Sequence, residues 1–231
     1  MPLLVLDLDE TVIVSPGRLN LINAAHSLSA IRYKSLAVDP HGRLGYLYFQ
    51  IINPDQIANL IEYAYTNNNH IMILTSGLWL PSIRNELANN LNLSDNARER
   101  LKNCYFHSAY TDSIVFNFPT EHAQKLDKNN RLRRIIDSRP ELAGTYSTVL
   151  DNNRLHVDSF KNNRKVKAIL ANTDQENLNF YDKAKMAIDE CGQHEQFNLG
   201  QHGLFGKNLK REIDHKSMPE EKFAEIIDCS L

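Results

Sequence analysis

Four apolar residues, Leu3-Leu4-Val5-Leu6, run straight into an acidic stretch, Asp7-Leu8-Asp9-Glu10-Thr11. The run has the length and continuity of a buried strand. Strand alternation places Asp7 and Asp9 on one side and Leu8 on the other. Two carboxylates at the end of a buried strand repel each other and lose hydration, so they persist only where a cation or a proton relieves them. A bland acidic turn carries Gly, Pro or Asn at its tip; this one carries Thr11. The chain is thus expected to bury its first strand and to open a functional site at that strand's carboxyl end, against the plainer reading of a solvated strand end.

The remaining pattern alternates strands with helices. Residues 12–52 form a small insert. Leu19, Ile22, Ala25 and Ala30 hint at a helix, and two strands, Tyr33 to Val38 and Leu44 to Ile52, flank the turn Asp39-Pro40-His41-Gly42. Asn53-Pro54-Asp55 reads as a helix start with Asn53 as N-cap, followed by the apolar stripe Ile57, Leu60, Ile61 and Ala64. Ile71 to Leu74 is a buried strand ending at Thr75-Ser76-Gly77. Residues 80–91 and 95–101 read as helices, and 105–109 and 114–118 as strands. A helix with Leu132, Ile135 and Ile136 on its apolar face comes next. Strands over 146–150 and 166–170 and a helix over about 175–191 follow, and Gly200-Gln201-His202-Gly203 reads as a glycine-rich turn. This order predicts an α/β fold with a parallel sheet flanked by helices. The expected division is a catalytic domain over 1–192 and a C-terminal tail over 193–231, in which Pro219 starts a further helix and which could lead into another domain.

Composition narrows the function classes. The 231 residues are 42% hydrophobic and 23% charged, with net charge −2, so no basic field points to nucleic acid or an anionic membrane. No apolar run approaches the roughly 18 residues that span a bilayer, and no signal peptide is expected. Cys104, Cys191 and Cys229 are few, odd in number and far apart, which suggests a reducing, cytoplasmic setting without a disulfide framework. No Cys is followed six residues later by Arg, so a cysteine-nucleophile phosphatase loop is absent.

The chemistry that suits Asp7 and Asp9 is phosphoryl transfer. One carboxylate attacks phosphorus while Mg²⁺ neutralises the crowded charge, and the other protonates the leaving oxygen and then activates water. Asp7-Leu8-Asp9-Glu10-Thr11 resembles the Asp-x-Asp-x-Thr motif of the haloacid dehalogenase (HAD) superfamily. Its form is most similar to the branch of small protein phosphatases that act on the RNA polymerase II tail. Three further pieces follow in the superfamily's order. Thr75 matches the Thr or Ser that binds a phosphate oxygen, with Ser76 and Gly77 offering backbone N–H groups. Lys125 and Lys128 both fit the motif lysine. Lys128 is favoured because Leu132, Ile135 and Ile136 follow it at helical spacing; without the resemblance either lysine reads as a solvated surface charge. Asp151, after Val149-Leu150 and before Asn152-Asn153, matches the acid that completes the metal site, with Asp158 as a reserve ligand.

The resemblance covers residues 3–151. It implies a HAD-like Rossmannoid sheet with a small flap or hairpin insert at 12–52 and no full cap domain. It also implies an aspartyl-phosphate mechanism with Asp7 as nucleophile, Asp9 as acid–base, and Thr75 and Lys128 stabilising the phosphoryl oxygens. Mg²⁺ would be held by Asp7, the Asp9 carbonyl and Asp151, with Thr11, Ser76, Gly77, Trp79 and Asn152 around the substrate. A small lid favours a phosphorylated protein or peptide, and Trp79, Tyr46 or Tyr48 as an aromatic wall favours phosphotyrosine. A phosphatase of small metabolites and a catalytically weak binding module are the alternatives. The asparagine runs, together with a eukaryote-like motif, resemble effectors that bacteria inject into host cells.

Overall fold

The computed structural model describes residues 1–22, 25–39, 41–116, 127–171 and 179–203. The chain divides into two compact units, Met1–Asn198 and Leu199–Leu231, and the first holds all the described strands.

Five parallel strands form the main sheet: β1 (Leu3–Leu6), β5 (His70–Leu74), β6 (Tyr105–His107), β7 (Ser147–Asp151) and β8 (Val166–Leu170). Their order is β6-β5-β1-β7-β8, so the first strand lies at the centre. Leu3 pairs with His70 on one side and Ser147 on the other. Strand alternation divides the core in two. Leu4 and Leu6 pack with Ile57, Leu60 and Ile61 of α1 (Pro54–Thr66) and with Ala184 and Ile188 of a helix over Phe180–Gly203. Leu3 and Val5 face the other way, onto Leu132 and Ile135 of a helix over Lys128–Asp137 and onto Phe160. Helices therefore cover both faces, which is why β1 reads as an unbroken apolar run. Leu3, Leu4 and Val5 are fully buried. Each such burial contributes about 1.5–3 kcal/mol, which offsets the cost of holding charges at the strand's end.

A second sheet of three strands is built from the insert: β2 (Ile13–Val14), β3 (Tyr33–Val38) and β4 (Leu44–Ile51), in the order β2-β4-β3 and antiparallel. It is tied to the loop after β5, where the Val38 N–H donates to Leu78 O and the Leu80 N–H donates to Leu36 O.

Several local expectations are corrected. A 3₁₀ segment over Pro16–Leu21 stands where a longer helix is expected. Asn53 does not cap α1 with its side chain. It adopts a left-handed conformation, φ 45°, and its amide oxygen accepts the Ser27 N–H at 2.8 Å. Residues 109–115 form a helix, not part of two strands, because Ser108 and Thr111 close a reciprocal capping box. Gly200-Gln201-His202-Gly203 is the end of the Phe180–Gly203 helix rather than a turn. Lys125 and the helix expected at Pro219 lie outside the described residues. Among the described residues no helix is long and apolar enough to cross a membrane.

Candidate active site

The carboxyl ends of β1, β5 and β7 meet in a cleft of about 1050 Å³, lined among others by Asp7, Asp9, Gly77, Lys128 and Asn152 and walled by the β3–β4 hairpin. This is where an open α/β sheet places ligands.

Asp7 is held as an extension of β1, its N–H donating to Leu150 O at 3.0 Å. Just beyond it the chain turns sharply. Leu8 O accepts the N–H groups of Thr11, Val12 and Ile13, and Glu10 takes a left-handed φ of 62°. Asp9 reaches the cleft through this turn and not by continuing the strand. The Thr11 hydroxyl donates to Asp7 Oδ2 at 2.9 Å and accepts the Asn152 N–H at 2.9 Å. Thr11 and Asn152 thus orient the first carboxylate from behind.

Lys128, the first residue of its helix, is positioned by the N-cap Asp127, whose side chain accepts the Asn130 N–H. It is 1% exposed, which removes the reading of a solvated charge. Its Nζ donates to Asp7 Oδ1 at 2.5 Å and to Asp151 Oδ2 at 2.6 Å, bridging the ends of adjacent strands. One ammonium between two buried carboxylates leaves one negative charge in excess. Burial pushes the Asp7 carboxyl up to about 7, with Asp151 and Asp9 adding to the rise and Lys128 opposing it. Burial also acts to raise Asp151, but Lys128, His156 and the Asn153 N–H outweigh it and hold that carboxyl below its usual range. His156 Nδ1 stands 3.3 Å from Asp151 Oδ2, an ion-pair distance without hydrogen-bond geometry. Asp158 is not part of the site; it pairs with Lys161 on the surface.

Asp9 is held separately. The Thr75 hydroxyl donates to Asp9 Oδ2 at 2.9 Å and the Trp79 indole N–H donates to Asp9 Oδ1 at 3.0 Å. Thr75 Oγ also accepts the Gly77 N–H. Gly77 is needed for this close approach: a Cβ there would lie 2.4 Å from Asp9 Oδ2 and 2.9 Å from Trp79 Cδ1. Trp79 is buried, 3% exposed, with its ring edge-on to Phe49 at 5.7 Å. An indole so placed is no open platform for a substrate ring; it positions Asp9. Of the three aromatic candidates, Tyr46 and Trp79 both line the cleft, the first exposed and the second buried, and Tyr48 is exposed on the same strand as Tyr46.

A second buried cluster supports the site from below, and sequence reasoning missed it. Arg131 donates to Asp112 Oδ2 through both Nε and Nη2, at 2.9 and 2.7 Å, and Nη2 also donates to Thr75 O at 2.9 Å. His107 Nδ1 lies 2.8 Å from Asp112 Oδ1. Arg131 thereby fixes the backbone that carries Thr75. Its one sequence signal is its place a turn after Lys128 on the buried side of the same helix.

The donor chemistry suits a hard divalent cation. Asp7, Asp151 and the Asp9 carbonyl are oxygen donors, and Mg²⁺ commonly binds through one or two carboxylates plus waters and substrate phosphate. Among the described residues no three His, Cys, Asp or Glu side chains group to hold a metal by themselves. The excess buried charge at Asp7 and Asp151 is the feature that a cation would relieve. Compared with the models of known protein families and with curated proteins, the chain matches none.

Proposed function

We propose that the protein is a HAD-type phosphomonoester hydrolase acting through Asp7, with phosphorylated proteins or peptides as substrates and phosphotyrosine preferred. The observation that carries this reading is the Asp7–Lys128–Asp151 bridge at the ends of two adjacent strands, with a second carboxylate, Asp9, held apart beside the same cleft. The motif resemblance and the parallel sheet agree with it.

Asp7 attacks phosphorus in line, and the bond to the leaving oxygen breaks as the acyl phosphate forms. Asp9 gives its proton to that oxygen. It then takes a proton from the water that attacks phospho-Asp7, which frees the Asp7 carboxylate, returns Asp9 to its protonated form and releases inorganic phosphate. Lys128 faces the charge that develops on the phosphoryl oxygens. When bound, Mg²⁺ held by Asp7, the Asp9 carbonyl and Asp151 supplies charge neutralisation at the same oxygens. Thr75 serves this reaction by orienting Asp9, a different role from direct phosphate binding. The preference for phosphotyrosine rests on Tyr46, whose exposed ring borders the cleft.

The test is a panel of phosphopeptides and phosphometabolites assayed with Mg²⁺ and with EDTA. Turnover restored by Mg²⁺ and absent in Asp7→Asn is expected. Mg²⁺ should also raise the melting temperature of the wild type more than that of Asp151→Asn. A folded Asp7→Asn variant with substantial activity would overturn the assignment, and a phosphometabolite turned over far faster than every phosphopeptide would overturn the substrate class.

A further inference from the structure

His156 lines the cleft with Asp7, Asp9 and Lys128, and no step of the proposed reaction uses it. Asn153, whose side chain accepts the Leu155 N–H, caps a short helix over Arg154–Ser159. That turn brings the imidazole back to the end of β7, where Asp151 stands. Nδ1 lies 3.3 Å from Asp151 Oδ2 and is closed to solvent, yet it has no hydrogen-bond partner among the described residues. Buried polar atoms are nearly always satisfied, so an orphaned nitrogen beside a carboxylate calls for a ligand.

The spacing indicates its kind. Hydrogen-bonded groups aim at each other, whereas two ligands of one ion aim at a third point between them. A carboxylate oxygen and an imidazole nitrogen that each lie about 2.0–2.2 Å from a common ion, at an angle of about 90–109°, stand about 3.0–3.4 Å apart. A separation of 3.3 Å without hydrogen-bond geometry fits that arrangement. Asp151 has the capacity for it. Its Oδ1 accepts the Asn153 N–H and its Oδ2 accepts from Lys128, which leaves each oxygen a further lone pair. The Lys128 ammonium stands between Asp7 and Asp151, so among the described residues no third side chain joins the Asp151–His156 pair as the chain stands.

We infer that His156 Nδ1 is a metal ligand, which with Asp151 makes the cation site of this cleft a mixed nitrogen–oxygen one that prefers a first-row transition ion to Mg²⁺. This rests on the phosphatase reading of the cleft and deepens it by naming the class of ion. Mg²⁺ takes oxygen donors and gives up water reluctantly. Imidazole suits transition ions, whose affinity for such a site rises from Mn²⁺ toward Cu²⁺. The other positions on the ion fall to oxygen: the Asp9 carbonyl, Asp7, waters and the substrate phosphate.

The probe is Mn²⁺, the weakest binder of that series and so the strictest test of the preference. It is added below stoichiometry to the full chain, once unlabelled and once carrying ¹⁵N-labelled histidine. Pulsed EPR should show a directly bound nitrogen whose coupling changes with the label; no other histidine lines the cleft among the described residues. His156→Ala should abolish that coupling and weaken Mn²⁺ binding, read from the free-ion EPR signal, by about tenfold or more. Mg²⁺ binding, read by calorimetry, should change far less. The wild-type label comparison stands whether or not the variant folds. Absence of a histidine coupling, or equal losses for the two ions, would overturn the proposal and leave His156 as a support for Asp151. A coupling that persists in folded His156→Ala would overturn it by moving the ligand to another histidine. A His156-dependent coupling without turnover of any phosphoester would sink the phosphatase reading alone; turnover of p-nitrophenyl phosphate without the coupling would sink only this one.

Discussion

The Trp79 indole N–H donates to Asp9 Oδ1 at 3.0 Å, while the ring itself packs edge-on against Phe49 in the core. Trp79→Phe keeps much of the apolar volume and removes the donor. The variant is expected to lose kcat on alkyl phosphates by about tenfold or more, and less on p-nitrophenyl phosphate, whose leaving group needs little protonation. KM ratios between phosphotyrosine and phosphoserine peptides should not move. Steady-state kinetics on the substrates check this. A selective rise in KM for phosphotyrosine would restore the indole as a substrate-stacking surface.

Gly77→Ala tests the same carboxylate sterically. The added Cβ falls within 2.4 Å of Asp9 Oδ2, so Asp9 or the loop must shift. A displacement of about 1 Å at a reacting group costs on the order of 10²-fold in rate. The expected result is a folded protein whose kcat in the proposed reaction is reduced to that degree. A crystal structure with Asp9 unmoved and full activity would show that the crowding is relieved elsewhere.

Arg131 and Asp112 form a buried pair, each 1–2% exposed. Removing one partner strands a charge, so Arg131→Met should destabilise the fold by about 3–5 kcal/mol. Combining it with Asp112→Asn should recover part of that loss, since the uncompensated carboxylate is gone. Chemical denaturation of the single and double variants gives the coupling. Additive losses would show that the two side chains act independently.

His107 sets a pH dependence of stability. Burial lowers its pKa, opposed by the hydrogen bond to Asp112; Arg139 and Arg131 lower it further. For Asp112 burial acts upward, but the His107 hydrogen bond and the Arg131 guanidinium outweigh it and hold the carboxyl low. A carboxylate accepting from His107 Nδ1, with Nε2 buried and without a partner among the described residues, assigns the neutral Nδ1–H tautomer. The unfolded chain then binds a proton that the native state refuses. His107 therefore contributes stability present above pH ~6.5 and lost as pH falls through that value toward the depressed folded pKa, with a slope of at most about 1.4 kcal/mol per pH unit. Denaturant titrations between pH 7.5 and 5 should show a steeper fall in the wild type than in His107→Gln. Equal slopes would place the titrating group elsewhere.

What the sequence made legible were features carried by short-range pattern. Asp7, Thr75 and Asp151 follow apolar runs that form strands whichever partners they find. Lys128 could be placed because the stripe of Leu132 and Ile135 sets the helix phase. The helix at 109–115 was harder: Ile114, Val115 and Phe116 are too few to reveal a period, and the capping pair Ser108 and Thr111 carried the better signal. Arg131 with Asp112 and Trp79 with Asp9 were out of reach, because neither pair shares an element and each has meaning only after the strands are ordered. The side chain of Asn53 misled for a related reason, since it bonds Ser27 across the fold rather than its own helix.

The central place of β1 has a consequence for how the protein is made. Both of its neighbours come later in the chain, β7 latest, opposite Leu3 at Ser147. A ribosome releases Leu3-Leu4-Val5-Leu6 before either neighbouring strand and must add the whole stretch through Asp151 before the strand is enclosed on both edges. At about 5–20 residues per second the nascent segment waits on the order of ten seconds or more. For that interval Asp7, the proposed nucleophile, is attached to a bare apolar ribbon. That interval leaves Leu3 to Leu6 open to chaperones before the core can close over them.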